Sequence, residues 1–203
     1  VTDKIKMGIF ELSDLIQTST KEEVNQLLSS FSCVKNPDVQ NFLNQRAISN
    51  DVRQFAKTYL VVNQYEPRDI IGFFSFNISS FSIINDVSNS SHKYVTGFKD
   101  GHETFPTLLL CQFGRADRYK GIVPGDELLT IFLSLAKDIN SRTYIRTVSV
   151  EYDADNTFLD DFYSMDASSY EKKYGRAKLY HFRKIQLNKK PKGDQFLAAL
   201  RLS

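Results

Sequence analysis

The sequence predicts a mixed α/β (α+β) protein in which helices alternate with β-hairpins. Helical periodicity and β-type patterning alternate along the chain instead of segregating into blocks. The run Leu108-Leu109-Leu110-Cys111 is apolar on both faces, which asks for a central strand. That strand leads through a glycine-containing loop into a strongly amphipathic helix.

The N-terminal half begins with helices. Thr20 and Glu23 have capping-box spacing, and Val24, Leu27, Leu28 and Phe31 follow at helical intervals. A second helix is predicted from Pro37 to Ile48, capped by Asn36, with Val39, Phe42, Leu43 and Ala47 on one face. The pattern then turns to strands. Thr58–Val62 is β-rich, Gln64–Asp69 reads as a turn, and Ile70–Ile78 returns as the second strand of an antiparallel hairpin. Residues 79–106, rich in Ser, Asn, Asp and Gly, read as a surface excursion. Thr107–Phe113 is the central strand. Leu128, Leu129, Phe132, Leu133, Leu135, Ala136 and Ile139 form the stripe of a helix ending near Asn140. Tyr144–Tyr152 alternates as a strand, Asn156–Tyr163 is a short helix and Leu179–Leu187 a last strand. Residues 188–203 read as a basic tail ending in a helical turn.

A length of 203 residues suits one domain, so residues 1–203 are taken as a single unit. With 41% hydrophobic and 25% charged residues, a disordered, collagen-like or coiled-coil chain is excluded. Lys plus Arg is 26 and Asp plus Glu is 24, a net charge of +2, which argues against a polybasic binder but permits a local basic patch. Cys33 and Cys111 match no zinc or redox spacing and are expected as free thiols of a reducing compartment. His92, His102 and His181 form no ligand pair, so no structural metal is expected. No apolar run approaches the ~20 residues of a membrane span. Val1–Phe10, with Asp3, Lys4 and Lys6, lacks a signal-peptide core. The expectation is a cytoplasmic protein with no membrane partner.

The most informative stretch is Arg118-Tyr119-Lys120-Gly121-Ile122-Val123-Pro124-Gly125-Asp126, between the central strand and its helix. Glycines let the backbone turn amides outward, and a helix N-terminus adds partial positive charge. Together they form an anion cradle suited to a phosphate or pyrophosphate, to which Lys120 adds a full charge. An ordinary Gly-containing turn would read the same way. Neither a P-loop nor a dinucleotide fingerprint is present, which removes NTPase and NAD-dependent readings.

This stretch resembles the signature of the GNAT family of acyl-CoA N-acetyltransferases, Q/R-x-x-G-x-G/A. The family's aromatic-Gln-Gly-x-Gly-x-Gly before x-x-Leu-Leu is similar to Tyr119 through Leu129. Lys120 stands for Gln/Arg, Val123 replaces the first signature glycine and Gly125 keeps the second. A competing register, Arg118-x-x-Gly121-x-Val123, displaces the helix. A Val123 side chain would crowd a pyrophosphate. Downstream, Asn156 and Tyr163 resemble the family's N-x-x-A-x-x-x-Y, with Leu159 for Ala and without the Gly-Phe that often follows. Tyr170, before Tyr174-Gly175, resembles that ending later in the chain and is the runner-up acid. Phe31-Ser32-Cys33, Phe42-Leu43, Ala47, Thr58–Val61 and Ile71–Phe76, with Pro106 before the central strand, resemble the front half of GNAT toxins of toxin–antitoxin pairs.

The resemblance implies a central mixed, largely antiparallel splayed sheet flanked by helices, and acetyl-CoA as acetyl donor. It implies a direct attack of a primary amine on the thioester in a ternary complex. Phe113, Gly114, Arg115, Lys120, Gly121, Ile122, Val123, Pro124, Gly125, Asp126 and Asn156 would lie on the cofactor side, and Tyr163 would be the acid. A backbone amide near Phe113–Arg115 would meet the thioester carbonyl. The toxin likeness implies charged tRNA as the amine-bearing acceptor and a small DNA-binding antitoxin as partner, and it admits a homodimer. Glu151, Asp153, Asp155, Asp160 and Asp161 could relay a proton or simply be solvated. The basic run from Lys172 to Lys192, with Arg46, Arg53 and Lys57, could hold RNA phosphates or merely solubilise. The alternative is a non-catalytic binding or regulatory module on the same scaffold.

Overall fold

The computed structural model describes residues 5–84, 86–99 and 103–202; Asp3, Lys4 and His102 lie outside them. In chain order the elements are β1 (Met7–Glu11), α1 (Leu12–Thr18), α2 (Lys21–Ser29), α3 (Pro37–Asn41), a π-helical turn (Phe42–Arg46), α4 (Ala47–Val52), β2 (Lys57–Asn63), β3 (Glu66–Ser82) and α5 (Asn89–Thr96). They continue as β4 (Thr104–Arg115), a 3-10 turn (Asp117–Tyr119), α6 (Gly125–Thr143), β5 (Thr147–Asp153), α7 (Thr157–Ser164), α8 (Ala167–Tyr174), β6 (Arg183–Asn188) and β7 (Gln195–Arg201). Hydrogen bonding orders the strands β1-β2-β3-β4-β5-β7-β6 in a mixed seven-stranded sheet. The chain forms two compact units, Val1–Asn77 with Cys111–Phe132, and Ile78–Leu110 with Leu133–Ser203.

In the first unit, β1, β2 and β3 are antiparallel neighbours, with Ile9 opposite Val61 and Val61 opposite Gly72. The Thr20–Glu23 capping box forms, which is worth about 1 kcal/mol. Asn36 caps α3 with Pro37 in its first turn. The helix predicted to run unbroken from Pro37 to Ile48 instead contains the π turn and extends to Val52. Phe42 and Leu43 are adjacent and both buried, and the extra residue of a π turn brings the following Ala47 into the same core. Phe31 meets the Phe73 ring edge-on at 5.3 Å, and Phe74 packs on Tyr59 and Phe132 at 5.3 and 5.4 Å.

In the second unit, β5 is laddered to β7 from Thr147 to Asp153, while its parallel ladder to β4 pairs Leu108↔Val148 and Leu109↔Ser149 among the described residues. The buried Thr107 hydroxyl donates to the Thr147 carbonyl at 2.9 Å and meets Ser149 Oγ at 2.8 Å, so a polar strip is satisfied inside the sheet. Three expectations are corrected. Residues 188–203, read as a tail with a helical turn, contain β7, which pairs with β5 on one side and β6 on the other. The small residues Ala198 and Ala199 are fully buried there, so the cationic flank hid a central strand. The excursion of residues 79–106 carries α5 and the start of β4, and its Val95 and Phe105 form a core with Ile185, Leu197 and Ala199. The last strand begins at Arg183 rather than Leu179.

Four buried phenols give a pH test of the fold. Burial, first of all, raises the pKa of Tyr59, Tyr152 and Tyr163 and pushes Tyr119 up to about 12. Acceptor carboxylates add to this at Tyr59 (Glu11), Tyr119 (Asp69) and Tyr152 (Asp160). An unfolded phenol ionises near pH ~10, so above that pH the unfolded chain binds fewer protons than the folded one. Stability is therefore expected to be independent of these groups below about pH 10 and to fall as pH climbs beyond it. Thermal melts across that range, read together with phenolate absorbance, check this. A melting temperature unchanged well above pH ~10 would contradict it.

Candidate functional site

In the first unit β4 ends at Arg115 and the chain is clipped at once to the segment after α2. The Asp117 N–H donates to the Ser32 carbonyl at 2.8 Å, and the Asp117 carboxylate accepts the Val34 N–H at 2.8 Å. The 3-10 turn then buries Tyr119, whose hydroxyl donates to Asp69, a carboxylate also paired with Arg118. Gly121 follows with φ of +81°, the left-handed region that favours glycine, and a Cβ there would meet nothing within 4 Å.

The amides of this bend do not all face outward. Lys120 N–H donates to the Asp117 carbonyl at 3.0 Å, and the Ile122 and Val123 N–H groups donate to Tyr119 at 3.1 and 3.0 Å. Pro124 has no N–H. The N–H groups of Gly121 and of Gly125, which opens α6, have no acceptor among the described residues. The loop is held by Arg115, whose Nη1 donates to the Val123 carbonyl at 2.7 Å. The Val123 side chain, expected to crowd an anion, is instead buried in the core. Ile122 is exposed, while Pro124 and Asp126 are half-buried. Upstream, Gly114 is buried, and Phe113 and Arg115 are half-buried.

Lys35 is the residue sequence reasoning missed. The Asp117 clip brings its segment to the loop, and the Lys35 ammonium close by pulls the exposed Lys120 ammonium below the ordinary lysine value. Arg115 adds to that repulsion, and Asp117 opposes it. A separation of 83 residues between Val34 and Asp117 hid this pairing, because only the fold brings 32–35 beside 117–120. The bend is thus a cation-rich turn with two open glycine amides, suited to a multiply charged anion.

In the second unit, Asn156 caps α7, its side-chain oxygen accepting the Leu159 N–H at 3.1 Å. That bond closes the first turn of the helix. Tyr163 is buried among Phe162, Phe182 and Tyr152, with ring centroids 4.9, 5.3 and 5.7 Å away. Its hydroxyl has no hydrogen-bond partner among the described residues, and burial alone raises its pKa, so it remains a protonated donor at neutral pH. Tyr152 differs: its hydroxyl donates to Asp160 Oδ1 at 2.9 Å and lies 2.8 Å from Ser164 Oγ. Lys178 Nζ donates to the carbonyls of Asp161 and Met165, at 2.9 and 2.6 Å, on either side of Tyr163. Burial pushes Lys178 down to about 8. Tyr170, the runner-up acid, already accepts from Arg176 at 2.7 Å.

The acidic and basic groups of the second unit largely answer each other. Asp161 pairs with Lys173, Asp160 with Lys184 at 2.6 Å, Glu151 with Lys190 at 2.7 Å and Asp194 with Lys189 at 2.7 Å. In the first unit Lys57 pairs with Glu11 at 2.7 Å, and Arg46 lies over the Phe42 ring. Much of the charge expected to meet RNA phosphates is therefore neutralised within each unit. Among the described residues, no group of three or more His, Cys, Asp or Glu is placed to hold a metal, and no helix is long and apolar enough to cross a membrane.

No protein-family model matches the chain, and no curated protein matches it in sequence. Solved structures do match it in fold. AtaT complexed with acetyl-methionyl-tRNAfMet has a TM-score of 0.61 at 14% identity, covering 94% of each chain. A tyrosine-to-phenylalanine variant of KacT gives 0.63 at 13%, covering 96% of this chain and 95% of that one. A similar variant of the AtaT toxin, bound to acetyl-CoA and the C-terminus of its antitoxin AtaR, gives 0.55 at 13%, covering 97% and 94%. The GNAT-like fold implied by the loop and helix motifs is the fold this chain shares with those toxins.

Proposed function

We propose that the protein is an acetyl-CoA-dependent N-acetyltransferase acting on a primary amine, and that the amine is the amino group of an aminoacyl-tRNA. The observation that carries this reading is the Lys120–Gly125 bend, with two open glycine amides and the cations Lys35 and Lys120 at one turn. These groups fit a diphosphate: Gly121 and Gly125 N–H would hold its oxygens, and the two ammonium groups would balance its charge. The bound donor supplies an activated acetyl thioester. The reaction then forms an N–C bond, breaks the C–S bond, removes a proton from the amine and gives one to the departing sulfur.

Tyr163 is proposed to donate a hydrogen bond to that sulfur as its charge develops, because its hydroxyl is otherwise unengaged and burial keeps it protonated. Arg115 holds the loop, and Lys178 fixes the chain on both sides of Tyr163. The tRNA acceptor and a small antitoxin partner are proposed from likeness to AtaT, which was solved with acetyl-methionyl-tRNAfMet and with AtaR. Incubation with labelled acetyl-CoA and charged tRNA tests the reading. Label in the aminoacyl group supports it, and label only in free amines replaces the tRNA by a small acceptor. No transfer to any amine overturns it.

The cation pair makes a separate prediction. Lys35→Glu is expected to weaken acetyl-CoA binding roughly tenfold, about 1.4 kcal/mol. It should also flatten the dependence of affinity on salt. Calorimetric titration at two ionic strengths measures both, and an unchanged dissociation constant would remove Lys35 from the site.

A further inference from the structure

The first unit contains a cavity of about 530 Å³ remote in sequence from the Lys120–Gly125 bend. It lies where α1 packs against α4 and the start of β2, lined by Ser13, Ile16 and Gln17 from α1, Asp51 and Val52 from α4, and Gln54, Ala56 and Lys57 leading into β2. Its size falls in the range of small-molecule sites, and it joins apolar walls to a few polar groups as such sites do.

Charge in this cavity does not balance. Lys57, its only lysine, is neutralised: its Nζ lies 2.7 Å from Glu11 Oε2 and donates to Ser13 Oγ at 2.6 Å. Glu11 is further engaged by the Tyr59 hydroxyl at 2.8 Å. Asp51 is left over. It is buried, and one of its oxygens accepts the Thr58 N–H at 3.0 Å, but no cation among the described residues pairs with it. Asp14, on α1, adds a second negative charge nearby, and burial together with repulsion from Glu11 and Asp14 raises the Asp51 carboxyl, against the attraction of Lys57 and the Thr58 bond.

Backbone strain points to the same place. The Gln54 N–H donates to Asp51 and the Phe55 N–H to Asn50, both at 2.9 Å, which is the Schellman closure of α4. Gln54 occupies its left-handed position with φ of +59°, where glycine is the usual residue. A side chain kept at a strained position that also lines a cavity is a local rule broken at a site of function.

We infer that this cavity is a second small-molecule site, selective for an organic ammonium with an apolar body. The ammonium sits against Asp51, the Gln54 and Gln17 amides complete its polar contacts, and the apolar part lies along Ile16, Val52 and Ala56. The inference does not depend on the acetyltransferase reading.

The test uses the full chain without acetyl-CoA and the probes 2-phenylethylammonium, 2-phenylethanol and 3-phenylpropionate, followed by amide chemical shifts. The ammonium is expected to shift the amides around Ser13, Gln17, Asp51 and Gln54 saturably, and the carboxylate is not. Binding should weaken as pH falls through the carboxylate range, as Asp51 takes up a proton. Asp51→Asn, which retains an acceptor for Thr58 N–H, should weaken binding at least tenfold. Gln54→Gly should weaken it while leaving the melting temperature the same or higher, which separates a ligand contact from a folding defect. Equal shifts from all three probes, or unchanged binding in both variants, would overturn the inference.

Discussion

Replacing Tyr163 by phenylalanine is expected to lower kcat for acetyl transfer by a factor of about 10² to 10⁴, the usual contribution of a positioned proton donor. The KM for acetyl-CoA and the melting temperature should stay unchanged. The stability half of this expectation follows from the packing. The ring stacks among Phe162, Phe182 and Tyr152, and phenylalanine keeps those contacts. The hydroxyl has no partner among the described residues, so its removal leaves no donor or acceptor orphaned.

Tyr152→Phe is the control. It strips a hydroxyl bonded to Asp160 and set against Ser164, so it should lower stability by about 1 kcal/mol before any effect on rate is considered. Steady-state kinetics and melts on the two variants separate the roles. A Tyr163→Phe protein with unaltered kcat would take that role from Tyr163 and leave its burial as simple core packing. A lowered pKa, the other way a phenol could serve as acid, is opposed by the environment, since burial moves this group upward.

Elements with local signals were legible. Thr20 and Glu23 are three residues apart, and Asn36 precedes Pro37, so both caps could be read from neighbours alone. The central strand and the stripe of α6 declared themselves by continuous and periodic apolar residues. β7 was not legible: Lys189, Lys190 and Lys192 precede it, and nothing local distinguishes Phe196-Leu197-Ala198-Ala199-Leu200 from a helical turn. Its place is set by β5 and β6, which lie far away in sequence. The candidate site divides the same way. Gly121 and Gly125 were visible as punctuation, whereas Lys35 depends on a clip between Val34 and Asp117. The burial of Val123 was not legible either, because a motif gives spacing but not the direction of a side chain.

Gly72 was visible in the sequence only as a gap in an apolar run, yet it should be among the least replaceable residues of the fold. A methyl group placed there would lie 2.6 Å from the Gly114 carbonyl oxygen and 2.7 Å from Leu128 Cδ1. The leucine can rotate, but the carbonyl belongs to β4 and cannot move without the strand. That movement would propagate: Ala116 N–H donates to Ile71 at 2.9 Å, and Gly114 is itself boxed in, its own missing Cβ lying 2.5 Å from Val39 Cγ1 and 2.9 Å from Phe73 Cε1. The strand cannot retreat toward α3 without closing on those side chains. Gly72→Ala is therefore expected to destabilise the protein by about 3 kcal/mol, the upper end of the overpacking range. Because the strand it displaces leads into Arg115 and the Lys120–Gly125 bend, affinity for acetyl-CoA should fall with it. Denaturant titration and calorimetry on the same variant decide the point. Wild-type stability would mean that β4 yields freely, and the rigidity argued for the loop's support would be lost with it.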